Sequence, residues 1–253
     1  MIFDTHAHYY DEAFDADRDA LLASLPGRGV ALVVCPGCDP ESSRQSIALA
    51  ERYGFLYAAA GYHPENLEGA ALSDLDAVRA LCAHPKVVAV GEIGLDLFGD
   101  DPQFERQQWL LDEQLKLAKR YDLPVILHSR RTHDKLAMHL KRHALARTGV
   151  VHGFSGSLQQ AERFVQLGYK IGVGGTITYP RASKTRDVMA QLPLDALLLE
   201  TDAPDMPLNG FQGQPNRPEQ AARVFSELCA LRDEPSEVIA ETLYRNTTAL
   251  FRL

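Results

Sequence analysis

The sequence predicts an α/β fold of the TIM-barrel class, a single (β/α)8 barrel domain over residues 1–253. Two observations predict it. Eight short aliphatic runs alternate with stretches that carry helical signals, and no low-complexity linker interrupts them, as expected of repeated strand–helix units. Side chains that commonly bind metal ions stand where these runs end, and in such barrels the strand ends carry the active site. Chains of this length routinely form one such domain.

The runs predicted to be strands are almost entirely apolar, which is typical of parallel strands buried on both faces. They cover residues 2–5, 31–35, 56–60, 87–91, 125–127, 150–151, 170–173 and 197–201. Between them, Asp39 and Pro40 are typical of the N-cap and first residue of a helix, and Ser73 opens another. A third helix is predicted from one apolar stripe that comprises Phe104, Gln108, Leu111, Leu115 and Ala118.

Composition narrows the class of protein. The net charge of −8 argues against non-specific coating of nucleic acid, which needs a basic surface, but it leaves room for a substrate phosphate held locally. Four scattered cysteines do not suggest a disulfide scaffold. No leader peptide and no apolar run of about 20 residues is evident, so we expect a cytoplasmic protein without membrane contact. No dimerisation helix is evident either, and we expect a monomer.

The candidate metal ligands are His6, His8, Glu92, His128, His152 and Asp202. His6 and His8 stand two apart, so on a strand both would point to the same face. Four imidazoles and two carboxylates suit borderline divalent ions such as Zn²⁺, Mn²⁺ or Ni²⁺. The set is large enough for two ions with one bridging carboxylate, an arrangement that can hold both the attacking and the leaving oxygen of a phosphoryl transfer.

These residues belong to motifs that together resemble one family, the TatD-type metal-dependent deoxyribonucleases of the amidohydrolase superfamily. The resemblance covers nearly the whole chain. Its motifs are DTHAH at residues 4–8, GYHP at 61–64, GEIGLD at 91–96, HSR at 128–130, HGFSG at 152–156 and ETDAP at 200–204. It implies a distorted TIM barrel, one to three divalent ions and hydrolysis of phosphodiester bonds in DNA.

The resemblance also implies roles for the ligand candidates. His6 and His8 would hold one ion, Glu92 would bridge, and His128 and His152 would hold the second.

The remaining roles concern the proton and the substrate. By the same resemblance, Asp202 would be both a ligand and the general base that orients the attacking water. His63 matches a family residue that approaches substrate phosphate, and Arg130 stands where it could do the same. One departure from the family pattern is the Gln-rich loop 209–218, which has fewer basic residues than we expect and could alter contact with nucleic acid.

The leading hypothesis is a metal-dependent hydrolase that cleaves phosphodiester bonds of DNA with metal-activated water, using two divalent ions (Zn, Mn, Mg or Ni). The alternative is another hydrolase of the superfamily, acting on an ester, lactone or amide, for instance an aminoacyl deacylase. The same ligands would serve, because fold does not determine substrate, and the acidic net charge keeps this alternative open. A non-catalytic metal-binding scaffold is a third hypothesis, which fits poorly with a ligand set that includes a candidate base.

Overall fold

The computed structural model describes residues 1–69 and 72–253. In this part of the chain eight parallel strands lie in one sheet in sequence order, each paired with the next. They are β1 (Ile2–Asp4), β2 (Val30–Pro36), β3 (Leu56–Ala60), β4 (Val87–Asp96), β5 (Val125–Arg130), β6 (Gly149–Val151), β7 (Lys170–Val173) and β8 (Leu197–Leu199). The predicted TIM-barrel class is confirmed, and each predicted run overlaps one of the strands.

Helices lie between and after the strands. Over the described residues they are α1 (Arg18–Ser24), α2 (Pro40–Arg52), α3 (Leu72–Leu81), α4 (Phe104–Tyr121), α5 (His133–His143), α6 (Leu158–Gln166), α7 (Ser183–Gln191), α8 (Ala221–Leu231) and α9 (Ser236–Phe251). Asp39 is the N-cap of α2, as predicted, and its side chain accepts a hydrogen bond from the Ser42 amide. None of the helices in the described ranges has the length and apolar character needed to cross a bilayer.

Two strand boundaries differ from prediction in a way that matters for the site. The predicted fourth strand ends at Gly91, but β4 continues to Asp96 because it stays paired with β5, Gly94 opposite His128 and Asp96 opposite Arg130. Glu92 therefore lies in the middle of its strand, and His128 lies within β5 rather than after it. An irregularity in the pairing between Val90 and Ile93 marks the point at which Glu92 leaves the regular register.

One amide side chain on α4 also differs from the predicted stripe. Leu111, Leu115 and Ala118 face the core as predicted, but Gln107 rather than Gln108 is buried with them. The side chain of Gln107 makes two hydrogen bonds with the backbone of Asp96 at the end of β4. It accepts from the Asp96 amide and donates to the Asp96 carbonyl, each at 2.8 Å. The helix therefore fixes the end of the strand that follows Glu92.

The seam between β1 and β8 is joined by hydrogen bonds just beyond the two short strands. The Asp202 amide donates to the His6 carbonyl at 2.8 Å, and the His8 amide donates to the Ala203 carbonyl at 2.7 Å. These bonds place the segment after β1 directly beside the segment after β8.

The buried carboxyl of Asp4 strengthens this seam. It accepts from the amide of Thr201 at 3.0 Å and from its hydroxyl at 2.7 Å, and also from the Tyr9 hydroxyl and the His6 amide. Burial raises the pKa of Asp4 to about 7, although the hydrogen bonds from Thr201 oppose the rise. A carboxyl that is partly neutral at pH 7 is close in shape and charge to an amide.

We therefore predict that Asp4→Ala destabilises the protein by about 3 kcal/mol, because buried donors on Thr201 and His6 lose their acceptor. Asp4→Asn should cost clearly less, since its amide oxygen can still accept from the Thr201 amide. Urea unfolding followed by circular dichroism measures both. Equal stability of Asp4→Ala and the native chain would contradict the role of this carboxyl in the seam.

Candidate metal centre

Glu92 lies at the centre of a buried cluster, and its side chain is itself almost fully buried, with the residue 3% exposed. Its Oε1 is 3.1 Å from Nε2 of His6 and 3.3 Å from Nε2 of His8. Its Oε2 is 2.8 Å from Nε2 of His152 and 3.3 Å from Nδ1 of His128. The two oxygens of one carboxylate thus face two separate sets of imidazoles, and His63 joins the set on Oε2 at 3.0 Å.

Asp202 joins the first pair. Its Oδ1 is 3.4 Å from Nε2 of both His6 and His8. All six residues predicted to be metal ligands are thereby brought into one cluster, although they come from both ends and the middle of the chain.

The charges in this cluster support one another. Burial alone would raise the pKa of Glu92, but the imidazoles of His152, His63 and His6 hold it well below its usual range. Burial would likewise raise the pKa of Asp202, and the hydrogen bond with His8 and the charge of His152 keep it lowered. Both carboxylates are therefore ionised at neutral pH.

The outer nitrogens of two imidazoles are held by neighbouring acceptors. Nδ1 of His8 lies 3.1 Å from the Pro36 carbonyl, which can only accept, so Nδ1 carries the proton and Nε2 is free to bind an ion. Nε2 of His128 lies 2.6 Å from Oδ2 of Asp96, which leaves Nδ1 facing Glu92. The pKa of Asp96 is lowered to about 2: burial would raise it, and the hydrogen bonds with His128 and the Phe98 amide, together with the charges of His128 and Arg130, outweigh this. Partners of this kind fix the ring orientation of metal-binding histidines.

Glu200 is a residue of the site for which no role was predicted from the sequence. It is almost fully buried, and its Oε1 accepts from the Gly153 amide and lies 3.6 Å from Nδ1 of His152. Its Oε2 has no hydrogen-bond partner among the described residues. A Cβ at Gly172 would come within 2.6 Å of that oxygen, so glycine there leaves room for Glu200. Its position could have indicated a role, because it is an acidic residue at the end of an apolar run, directly before Thr201 and Asp202.

The two residues predicted to contact substrate lie in different surroundings. His63 is buried, and its Nε2 is 3.0 Å from Oε2 of Glu92, among the ligand candidates. Arg130 is at the mouth of the site with its side chain 44% exposed, and its Nε is 3.3 Å from Oδ2 of Asp96. Their contact with substrate stays a prediction.

The donor set fits divalent metal ions. Three groups drawn from the predicted ligands and His63 each have their donor atoms within 4.8 Å of one another: His6 with His8 and Glu92, His6 with His152 and Asp202, and His63 with Glu92 and His128. Five imidazoles around one buried carboxylate would be a costly arrangement without a cation to bind. The cluster opens into a cavity of about 580 Å³ that Arg130, Arg131 and Asp205 also line.

We predict that the metal-free protein loses stability as the pH rises above about 6.5. Burial lowers the pKa of His8, His128 and His152, but the neighbouring groups raise all three above the usual value, so the folded chain holds protons that the unfolded chain has released. Their stabilisation is complete below pH 6.5 and is lost as the pH passes through the folded pKa values. Burial lowers the pKa of His6 and His133, which oppose the trend.

Urea midpoints of the chelator-treated protein at pH 6.5, 7.5 and 8.5 measure this effect. Added Mn²⁺ or Zn²⁺ should restore stability most strongly at pH 8.5, because an ion must displace those protons to bind. Metal-free stability that stays level or rises across this range would count against the predicted protonation of the cluster.

Comparison with known proteins agrees with this geometry. Residues 3–252 match the family described as TatD related DNase. The Escherichia coli K12 protein named "Uncharacterized metal-dependent hydrolase YjjV" is 70% identical over 252 residues, which is 99% of this chain and 97% of the relative. The crystal structure of the YjjV TatD homologue from Escherichia coli K12 superposes with a TM-score of 0.97 at 68% identity, covering 100% of this chain and 98% of that one.

A more distant relative is named for its activity. The Pantoea sp. protein "3'-5' ssDNA/RNA exonuclease TatD" is 30% identical over 259 residues, covering 100% of each chain. The family match and these relatives span essentially the whole sequence. The chain therefore belongs to the TatD-related DNase family and is a metal-dependent hydrolase.

Proposed function

We propose that this protein hydrolyses phosphodiester bonds of DNA, using two divalent ions (Zn, Mn, Mg or Ni). The observation that carries the proposal is the division of donors about Glu92, whose two oxygens each face their own imidazoles. A relative over the full length of the chain is named a single-strand DNA and RNA exonuclease, which supports a polynucleotide as the substrate and a single strand as its form.

The donors would hold two ions, with Glu92 as a ligand common to both. His6, His8 and Asp202 belong with Oε1, and His128 and His152 belong with Oε2. When bound, such ions polarise a phosphoryl oxygen and lower the pKa of the attacking water. The chain contributes fixed ligand orientation, since Pro36 and Asp96 hold the outer nitrogens of His8 and His128.

Asp202 is the proposed general base. Its carboxylate is ionised because the hydrogen bond with His8 and the nearby histidine charges outweigh its burial, so it can accept a proton from the attacking water. Its side chain keeps 17% exposure, whereas that of Glu92 has 4%. Of the two carboxylates, Asp202 is therefore the one that water entering from the cavity can reach.

Arg130 and Arg131 supply positive charge at the mouth of this cavity, in a chain whose net charge is −8. Guanidinium groups pair well with phosphate oxygens. Together with His63 they are the proposed contacts to the substrate backbone. A cytoplasmic location and a monomeric state remain predictions from the sequence.

We predict that Glu92→Ala lowers kcat/KM on 5′-labelled single-stranded DNA by roughly 10³-fold or more. Loss of the shared ligand weakens binding of the ions, which would otherwise stabilise the charge of the transition state by several kcal/mol. The assay uses metal-stripped protein with Mg²⁺, Mn²⁺ or Zn²⁺ added back singly. Glu241→Ala, at an exposed glutamate on α9, is the matched control and should cleave like the native chain.

Circular dichroism of both variants checks that the fold is kept. Cleavage by Glu92→Ala at the native rate would overturn the proposal, as would cleavage by the fully metal-free protein. Absence of DNA cleavage with every ion, together with metal-dependent hydrolysis of an ester or amide, would assign the site to the alternative class of substrate.

A further inference from the structure

We propose that Phe98, with Arg130 and Arg131, forms a stacking subsite for one unpaired nucleobase beside the metal centre. The proposal rests on the phosphodiesterase function proposed above and names the part of the substrate that this surface binds. The subsite would hold a base close in sequence to the cleaved phosphate, while the arginines meet the backbone that carries it.

The exposure of Phe98 is unusual for its residue type. It follows β4 and is 58% exposed, whereas every other phenylalanine in the described ranges is buried or half-buried. It belongs to neither buried apolar cluster of those residues, so it contributes little to the core. An exposed aromatic ring can serve as a stacking platform for a base when positive charge lies beside it.

Two cations lie against this ring. Cζ of Arg130 is 4.6 Å from the ring centroid and Cζ of Arg131 is 5.1 Å from it. Both arginines also line the cavity above the metal centre. An aromatic face beside guanidinium groups combines the two interactions that single-stranded nucleic acids offer, base stacking and phosphate charge.

One carboxylate connects this surface to the metal centre. Oδ1 of Asp96 accepts from the Phe98 amide at 2.8 Å, while Oδ2 of the same side chain contacts Nε2 of His128 at 2.6 Å. Oδ2 is also 3.3 Å from Nε of Arg130. The backbone that carries the ring, one of its arginines and a predicted metal ligand are thus positioned by a single buried group.

There is room for a nucleotide beside the ring. Phe98 lines a cavity of about 560 Å³ next to the one above the metal centre, and Glu65 and Asn66 line both. A base within a duplex has both faces covered by its neighbours, so only an unpaired or terminal base can stack on a protein side chain. The subsite therefore favours single strands over duplexes.

The test uses single-stranded DNA oligonucleotides that each lack one base, at successive positions from the cleaved end. For the native chain, one position should lower kcat/KM by roughly tenfold, the usual effect of losing one stacked base. Phe98→Leu should show a similar loss on the intact oligonucleotide and no further loss from the missing base at that position, because the two changes remove the same contact.

Two further variants separate stacking from folding. Phe98→Tyr keeps the aromatic face and should restore the penalty for the missing base. Trp109→Leu, at an exposed aromatic residue on α4, should respond to missing bases as the native chain does. Circular dichroism of each variant confirms that the barrel is intact.

The outcomes distinguish this proposal from the one on which it rests. If the native protein cleaves the oligonucleotides but Phe98→Leu keeps the full penalty for the missing base, or no position shows one, the subsite is wrong and the nuclease function stands. If the native protein cleaves no oligonucleotide with any ion, the proposed function fails and the subsite fails with it.

Discussion

Closure of the barrel between β1 and β8 is the constraint on which the site depends. His6 and His8 come from the start of the chain and Asp202 from its last quarter, and they meet because the seam sets Asp202 beside His6 through a backbone hydrogen bond. The Asp4 carboxyl stabilises the same seam by accepting hydrogen bonds from the amide and hydroxyl of Thr201. The same few contacts therefore join the first and last strands and position three of the predicted metal ligands.

The carboxylates and imidazoles of the cluster that the seam completes stabilise one another's charges. One buried carboxylate, Glu92, contacts five imidazoles, and without ions their protons supply the positive charge that it needs. Divalent ions compete with those protons for the same nitrogens. Such a cluster favours binding of cations over stability of the empty protein, as is usual at functional sites.

The sequence predicts the scaffold well because buried parallel strands have a strong local signature, the continuous apolar run. It predicts the ligand set because the motifs place those residues near strand ends. It does not predict the extension of β4 to Asp96, since that depends on pairing with β5. It also misses Gln107, whose partner is the backbone of another element, although a glutamine one turn before Leu111 on a buried helix face was a usable sign.

The same limits explain why substrate recognition is harder to predict than chemistry. Histidines and acidic residues at strand ends have few roles other than metal binding. A phenylalanine and two arginines in a loop are common on any protein surface, and only their geometry indicates that they bind a ligand. That geometry depends on Asp96, which holds the Phe98 amide with one oxygen and His128 with the other. A change of sequence in the loop after β4 would then alter the proposed base contact while Asp96 keeps His128, a predicted metal ligand, in place. In a barrel whose ligands are fixed by strands, specificity can vary in the loops without disturbing the chemistry.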